Sequence, residues 1–170
     1  LGYQNIKVVP AGLIPSRLAE EQFDIGILND MAKRFPNGYV VAVGQILPHK
    51  RIEQLIQTVH LLNSTYWLNI GLVICGVARQ ERYRVAITNF RNRCAMVDVF
   101  FSGPVTDAQL STFIRGSRAY LGMSDHEGLS IPPVEAMYMG VPVIVKGAGA
   151  VPETVGEAAL VLPSKAGPVL

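Results

Sequence analysis

The sequence has little charge, few cysteines and no long apolar run. Only 16% of its 170 residues are charged and the net charge is +2, too little to favour nucleic acid or an anionic membrane surface as a partner. No run approaches the ~20 apolar residues of a membrane-spanning helix, and no signal peptide is visible. Cys75 and Cys94 each fall in or beside an apolar run, which favours reduced core thiols in a cytoplasmic protein.

The sequence also lacks a set of residues at the spacing that metal ligands require. His49, His60 and His126 are widely separated and do not form a metal-ligand pattern. We therefore expect no metal site and no resident cofactor. The chain begins at Leu1 rather than at methionine, which favours a piece of a longer protein.

Apolar runs that end in glycine or a turn alternate with amphipathic segments from Tyr39 onward. A short continuous apolar run is typical of a strand that is buried on both faces of a parallel sheet. The predicted strands are residues 39–43, 68–75, 97–101, 119–122, 141–145 and 159–162. Helices are predicted from Ile52, over 79–93, and after the capping-box sequence at Thr106. This alternation predicts an α/β fold with a doubly wound, mostly parallel, Rossmann-like sheet, whose ligands bind beyond the carboxyl ends of the strands.

The first 37 residues follow no single pattern. Residues 6–10 are compatible with a short strand, and residues 24–34 have apolar positions at helical spacing. A break follows at Pro36-Asn37-Gly38. We predict a connecting segment with a helix over residues 1–37 and the α/β domain over residues 38–170.

Two glutamates, Glu127 and Glu135, flank a signal for a turn followed by a helix. Pro132-Pro133 predicts a helix start, and Gly140 predicts its end. Glu135 is therefore expected in the first helical turn, after a loop that carries Glu127. Free backbone N–H groups at such a start favour an anion. A glycosidase also pairs two carboxylates, and Glu135 could instead serve only the helix dipole.

The run Glu-Gly-Leu-Ser-Ile-Pro-Pro-Val-Glu-Ala-Met over residues 127–137 resembles the E-x7-E motif of the family 4 retaining glycosyltransferases. The resemblance extends over residues 40–162 and implies the C-terminal half of a two-domain GT-B glycosyltransferase, with residues 1–37 as the interdomain connection. It implies that Glu127 is a catalytic residue near the donor sugar and that Glu135 binds the ribose hydroxyls. The amides around Gly128, Leu129 and Ser130 are expected to contact sugar or phosphate.

Lys50 and Arg51 precede a predicted helix, where the helix dipole disfavours cations. Either the pair is solvated or a bound phosphate offsets the conflict, and removing Lys50 should then leave stability unaltered or slightly improved. The family has a Gly-Arg-x-x-x-x-Lys element here that holds the donor diphosphate. Gly44 and Lys50 match it, Gln45 stands at the arginine position, and Arg51 could partly compensate. Lys50 is therefore a second catalytic candidate.

Two further turns are candidates for the donor cleft. Ser102, Gly103 and Val105 lie where the resembling family contacts the nucleobase. Residues 147–153 partly match a dinucleotide fingerprint, but Pro152 replaces its last glycine, so a glycine-rich turn into a short helix is the alternative. In the family this turn lines the same cleft.

The resemblance implies a hexosyltransferase that takes a sugar from a UDP- or GDP-linked donor, retains its configuration, and needs no metal. The acceptor would be held by an N-terminal domain outside this chain, which also leaves room for peripheral membrane contact there, and the isolated domain is expected to be inactive. Two alternatives stay open: a nucleotide-sugar epimerase of the same architecture, and a non-catalytic nucleotide-sugar-binding module, which Gln45 favours.

Overall fold

A computed structural model describes residues 12–18, 23–94 and 97–164. The described chain forms six strands and six α-helices that largely alternate. The strands are β1 (Tyr39–Val43), β2 (Gly71–Cys75), β3 (Val99–Gly103), β4 (Ala119–Gly122), β5 (Val143–Lys146) and β6 (Leu160–Leu162). The helices are α1 (Ile25–Arg34), α2 (Ile52–Tyr66), α3 (Glu81–Arg93), α4 (Asp107–Arg115), α5 (Ile131–Tyr138) and α6 (Val151–Val155), with 3₁₀ turns at Pro15–Leu18 and Pro48–Lys50. The predicted strand at residues 6–10 lies outside the described residues.

The strands form one sheet in the order β3-β2-β1-β4-β5-β6, and every pair of neighbours is parallel. This confirms the doubly wound, Rossmann-like fold. The strand order reverses between β1 and β4, where Val41 pairs with Tyr120. Chain connections leave in opposite directions at such a point, so a crevice opens beyond the carboxyl ends of these two strands.

Alternate residues of the strands face two separate cores. Val41 of β1 packs with the helices α1, α4, α5 and α6, whereas Val40 packs with α2 and α3. Burial on both faces explains why the strands read as continuous apolar runs. Met31 and Phe35 belong to the first core, so α1 and the residues after it pack onto the sheet; the domain boundary at residue 38 stays a prediction.

Both cysteines are buried free thiols, as predicted. Burial raises the pKa of the Cys75 thiol to about 12, which keeps it protonated at neutral pH. No described helix is both long and apolar enough to cross a membrane.

The second strand is shorter than predicted. It begins at Gly71 rather than at residue 68, because Trp67 and Asn69 adopt left-handed backbone angles, with φ of 56° and 52°. The Asn63 side chain closes this turn by donating to the Ile70 carbonyl and accepting from the Ile70 N–H. An apolar run alone does not reveal such a turn. The strands β3 and β5 likewise begin two residues later than predicted, and α3 begins at Glu81.

Helix-end signals are mostly confirmed. Thr106 and Gln109 form the predicted capping box at the start of α4. Gly140, with φ +73°, follows the end of α5. The prediction that Glu135 lies in the first turn is wrong, because α5 begins at Ile131 and places Glu135 in its second turn.

Candidate functional site

The loops after β1 and β2 approach each other closely at the carboxyl edge of the sheet. Gly44 donates its N–H to the Cys75 carbonyl, and Ile46 donates to the Val77 carbonyl. A Cβ on Gly76 would overlap the Gly44 carbonyl oxygen, and the φ of Gly76 is +152°. Glycine is therefore required at position 76 for the β1 loop to take its place.

The ammonium group of Lys50 meets the carboxylate of Glu127 across the crevice between β1 and β4. Lys50 Nζ donates to Glu127 Oε1 at 2.5 Å. The two side chains are only 19% and 14% exposed, so water screens the pair weakly. The Lys50 side chain passes directly over Gly44, where a Cβ would lie 3.2 Å from Nζ. The structure thus brings together the two residues predicted to be catalytic.

Lys50 itself lies in the 3₁₀ turn before α2 and not in the helix. Arg51 then caps the helix with φ 50°. The helix dipole alone predicts that removing Lys50 leaves stability unaltered or improved. The pairing of Lys50 with Glu127 predicts a loss instead, because a partly buried carboxylate would lose its partner.

A second set of charges holds the loop that carries Glu127. Asp125 accepts a hydrogen bond from Lys146 Nζ at 2.6 Å and forms an ion pair with Arg51 Nε at 2.5 Å. The Lys146 side chain is 9% exposed. The hydrogen bond from Lys146, with the charges of Lys146 and Arg51, holds the pKa of the Asp125 carboxyl below its usual value. Arg51 also contacts Glu53, so its guanidinium already has two carboxylate neighbours before any donor binds.

Backbone contacts fix the same loop from two sides. The Asp125 N–H donates to the His49 carbonyl at 2.8 Å, and the Ala150 N–H donates to the Glu127 carbonyl at 3.1 Å. A Cβ on Gly149 would come within 2.5 Å of the Glu127 carbonyl oxygen. The glycine-rich segment 147–153 therefore serves as a turn that packs against Glu127 and leads into the short α6.

Glu135 lies in α5, the helix that follows the same loop. It is 8% exposed and lies in the second turn of the helix. Burial, followed by the nearby charges of Glu127 and Glu135, raises the pKa of Tyr120 well above its usual value. A neutral phenol thus lies beneath the two glutamates.

The start of α5 offers fewer amides than the prediction assumed. Of the first four positions, Pro132 and Pro133 have no N–H, which leaves those of Ser130 and Ile131. Ser130 has φ 55° and makes no side-chain cap, and Gly128 is exposed. Any anion contact here would therefore rest on a few loop amides and on Lys50.

The other predicted donor-binding residues differ in position and in depth. Gln45 is exposed near the start of the loop after β1, Leu129 is half-buried, and Val105 packs against the first core. Gly103 borders a cavity of about 430 Å³ between α3 and the ends of β2 and β3, whose lining includes Ile46, Ala78 and Phe101.

Sequence reasoning missed Asp125 and Lys146. A lysine that follows three apolar residues of a buried strand is the signal that could have revealed Lys146, since such a position needs an acidic partner. In the described residues, no group of three or more His, Cys, Asp and Glu side chains could hold a metal ion; the absence of a metal requirement stays a prediction.

Comparison with known proteins decides the family. Residues 29–166 match the sequence profile of the family described as Glycosyl transferases group 1. The chain belongs to this family. The match covers the crevice, both glutamates, Lys50 and all six strands, and it bears out the predicted resemblance.

Curated relatives of this group 1 glycosyl transferase include O-antigen chain mannosyltransferase B of Escherichia coli, 29% identical over 127 residues. That match covers 73% of this chain and 32% of the relative. GDP-mannose:cellobiosyl-diphosphopolyprenol alpha-mannosyltransferase of Komagataeibacter xylinus is 32% identical over 122 residues, which cover 68% of this chain and 29% of the relative. The chain thus spans about a third of the length of these relatives.

Among solved structures, Anabaena HepE, crystallised with UDP and glucose, aligns with a TM-score of 0.75 and 19% identity. The alignment covers 93% of the group 1 glycosyl transferase chain and 43% of HepE. At this identity the likeness shows the fold, which is that of the C-terminal, Rossmann-like domain of GT-B enzymes.

Proposed function

We propose that this chain is the donor-binding domain of a retaining mannosyltransferase that uses GDP-mannose. The observation that carries the proposal is the Lys50–Glu127 pair at the reversal of strand order. Nucleotide ligands of open α/β sheets bind in this crevice. A paired cation and carboxylate there can exchange partners with a donor that has both a diphosphate and sugar hydroxyls.

The exchange assigns one role to each side chain. Lys50 turns its ammonium group from Glu127 to the diphosphate, where a charge-assisted hydrogen bond forms. Glu127, freed from Lys50, accepts hydrogen bonds from hydroxyls of the sugar. Glu135, buried in α5, accepts from the ribose hydroxyls. The amides of Gly128, Leu129 and Ser130 add contacts to phosphate or sugar.

The proposed chemistry needs no protein nucleophile. The bond between the anomeric carbon and the β-phosphate oxygen breaks, and its electron pair stays with the diphosphate. The acceptor hydroxyl oxygen bonds to the anomeric carbon on the same face, and its proton passes to the leaving diphosphate. Lys50 stabilises the charge that develops on the phosphate, and positioning supplies the rest of the acceleration.

The names of the relatives support mannose and GDP. All seven curated relatives in the comparison are named mannosyltransferases, and one of those names specifies GDP-mannose. The UDP in the HepE crystals keeps UDP-linked sugars as the alternative donors.

Thermal unfolding of the chain with GDP, GDP-mannose, UDP, UDP-glucose and ADP tests the donor. A ligand that binds only the folded state stabilises it by about 2.7 kcal/mol when present at a hundred times its Kd. We expect GDP and GDP-mannose to raise Tm most. A rise with UDP ligands alone would make the donor assignment wrong, and no rise with any nucleotide would contradict donor binding altogether.

Metal independence is part of the proposal. The diphosphate is held by Lys50 and backbone amides, so EDTA should leave the GDP-induced rise in Tm unchanged. Loss of that rise on chelation, with recovery in Mn²⁺, would contradict the assigned diphosphate site.

Transfer itself requires an acceptor site, which we place in a further domain of a longer, cytoplasmic protein; peripheral membrane contact would also belong to that domain. The 170-residue chain should therefore bind the donor without glycosylating any acceptor. Measurable transfer by this chain would contradict the division of labour between two domains.

A non-catalytic nucleotide-sugar-binding module is the second candidate, and Gln45 is the observation that favours it. The exposed Gln45 side chain supplies no charge where the family has an arginine. If the diphosphate site has the family's geometry, Gln45→Arg should tighten GDP binding.

A further inference from the structure

Besides the bond from the Ala150 N–H to the Glu127 carbonyl, two kinds of attachment hold the loop of residues 124–130, and a donor would affect them differently. One is the hydrogen bond from Lys50 to Glu127, which the proposed donor breaks. The other is the set of contacts to Asp125, two residues earlier, from Lys146, Arg51 and the His49 carbonyl. A donor diphosphate would therefore remove one attachment at the moment when Glu127 must stay in place.

The three residues that contact Asp125 belong to different parts of the fold. His49 and Arg51 flank Lys50 in the turn Pro48–Lys50 and at the cap of α2, so they belong to the segment whose side chain must move. Lys146, in contrast, is the last residue of β5 and pairs with Leu162 of β6. Of the contacts described for Asp125, the one from Lys146 alone comes from a strand of the sheet.

The charges around the loop balance. Lys50, Arg51 and Lys146 face the carboxylates of Glu53, Asp125 and Glu127. The Lys146 side chain is the least exposed of the six, at 9%, and a lysine this deep in a protein needs a partner. Asp125 supplies that partner at 2.6 Å.

We propose that Lys146 is a positioning residue that, through Asp125, fixes the 124–130 loop to the sheet while a donor diphosphate draws Lys50 away from Glu127. The inference rests on the proposed function for the identity of the ligand. The geometry of the anchor itself does not depend on it. Without Lys146, Asp125 would be held only from the segment that carries Lys50, and the backbone bond from Ala150 to the Glu127 carbonyl would be the remaining attachment outside that segment.

The variants are Lys146→Met, which keeps length without charge, and Lys146→Arg, which restores the charge. Lys33→Met is the matched control, because Lys33 is exposed in the last turn of α1 and the substitution changes the net charge equally. Calorimetry should show GDP binding to Lys146→Met within about twofold of wild type and GDP-mannose binding weakened about tenfold. Lys146→Arg should recover most of the GDP-mannose affinity, and Lys33→Met should bind both ligands as wild type does.

A second experiment, which needs no ligand, measures amide hydrogen exchange in the peptide that covers residues 124–130. Lys50→Ala removes the first attachment, so Lys146→Met should raise loop exchange about tenfold in the Lys50→Ala background, and much less in wild type. Added GDP should likewise raise the exchange of this loop in the Lys146→Met single variant, because GDP draws Lys50 away from Glu127. Equal exchange in all backgrounds, or equal losses for GDP and GDP-mannose, would overturn the positioning role.

The two arms separate this inference from the proposed function. If wild type binds no nucleotide but the exchange of the double variant rises as stated, the anchor is correct and the ligand is wrong. If nucleotides bind but the effects of Lys50→Ala and Lys146→Met on loop exchange are simply additive, the positioning role of Lys146 is wrong and the proposal of donor binding stands.

Discussion

Replacing Lys50 with alanine should weaken GDP binding and also destabilise the fold. The charge-assisted hydrogen bond to the diphosphate is worth about 1.5–3 kcal/mol, so the affinity for GDP should fall roughly ten- to a hundredfold. Guanosine, which has no phosphate, should bind as it does to wild type. The structure also predicts a loss of stability, since Lys50 is hydrogen-bonded to Glu127 at 2.5 Å.

Two opposing effects decide that loss. Removing a cation near a helix start gains about 0.3–1 kcal/mol at most. Leaving a carboxylate that is only 14% exposed without its partner costs about 1–3 kcal/mol. The second effect is larger, so the free energy of unfolding should fall by about 1–2 kcal/mol, as measured by urea denaturation.

Glu127→Gln provides the matched control for Lys50→Ala. It keeps the shape but removes the charge that competes with the diphosphate for Lys50, so GDP should bind equally or more tightly while GDP-mannose binds more weakly. The double variant should be more stable than Lys50→Ala, because no carboxylate is left unpaired. If Lys50→Ala binds GDP like wild type and unfolds at the same urea concentration, both the site and its energetics are refuted.

Three further predictions concern neighbouring residues. Glu135→Gln should cost about 1–3 kcal/mol in GDP binding, and the 2′-deoxy ligand should lose much less, which calorimetry can compare directly. Ser130→Gly should raise the free energy of unfolding by up to about 1 kcal/mol by relieving a left-handed conformation, whereas Ser130→Ala should not. Because the pKa of Asp125 is lowered in the folded state, its contribution is complete above the unfolded value near 3.8 and is lost as pH falls toward the folded pKa. Wild type should therefore lose stability more steeply than Asp125→Asn between about pH 5 and pH 2 in urea titrations, and parallel curves would contradict the assignment.

The sheet was predictable because its strands carry their own signal. Segments such as Tyr39–Val43 are apolar throughout, end at glycine, and alternate with amphipathic helices, so the parallel arrangement follows from connection rules. Parallel strands place their following loops on one edge, and that rule alone brings Lys50 and Glu127 to the same side.

The contacts within the site were not predictable in the same way. Asp125 and Lys146 are 21 positions apart. A lysine at the end of a buried strand calls for an acidic partner, but the sequence does not indicate that this partner is Asp125. Arg51 and Ser130 adopt left-handed backbone angles although neither is glycine, so the residue type does not predict these angles. Pairing across loops depends on side-chain rotamers and on loop lengths, which hydrophobic periodicity does not encode.

The close approach of Gly76 to Gly44 has a consequence for experiments that rank residues by tolerance to substitution. Gly76 belongs to the loop after β2, yet any side chain there would push against the backbone of Gly44 in the loop after β1, six residues before Lys50 in sequence. A saturation screen scored on donor binding would therefore find that position 76 tolerates substitution as poorly as a residue that contacts the ligand, although Gly76 need not touch the ligand. The pattern of failure separates the two cases. Every substitution at position 76, alanine included, should fail regardless of size and polarity, because the Cβ itself meets the Gly44 carbonyl oxygen. A true contact such as Lys50 should tolerate arginine better than methionine.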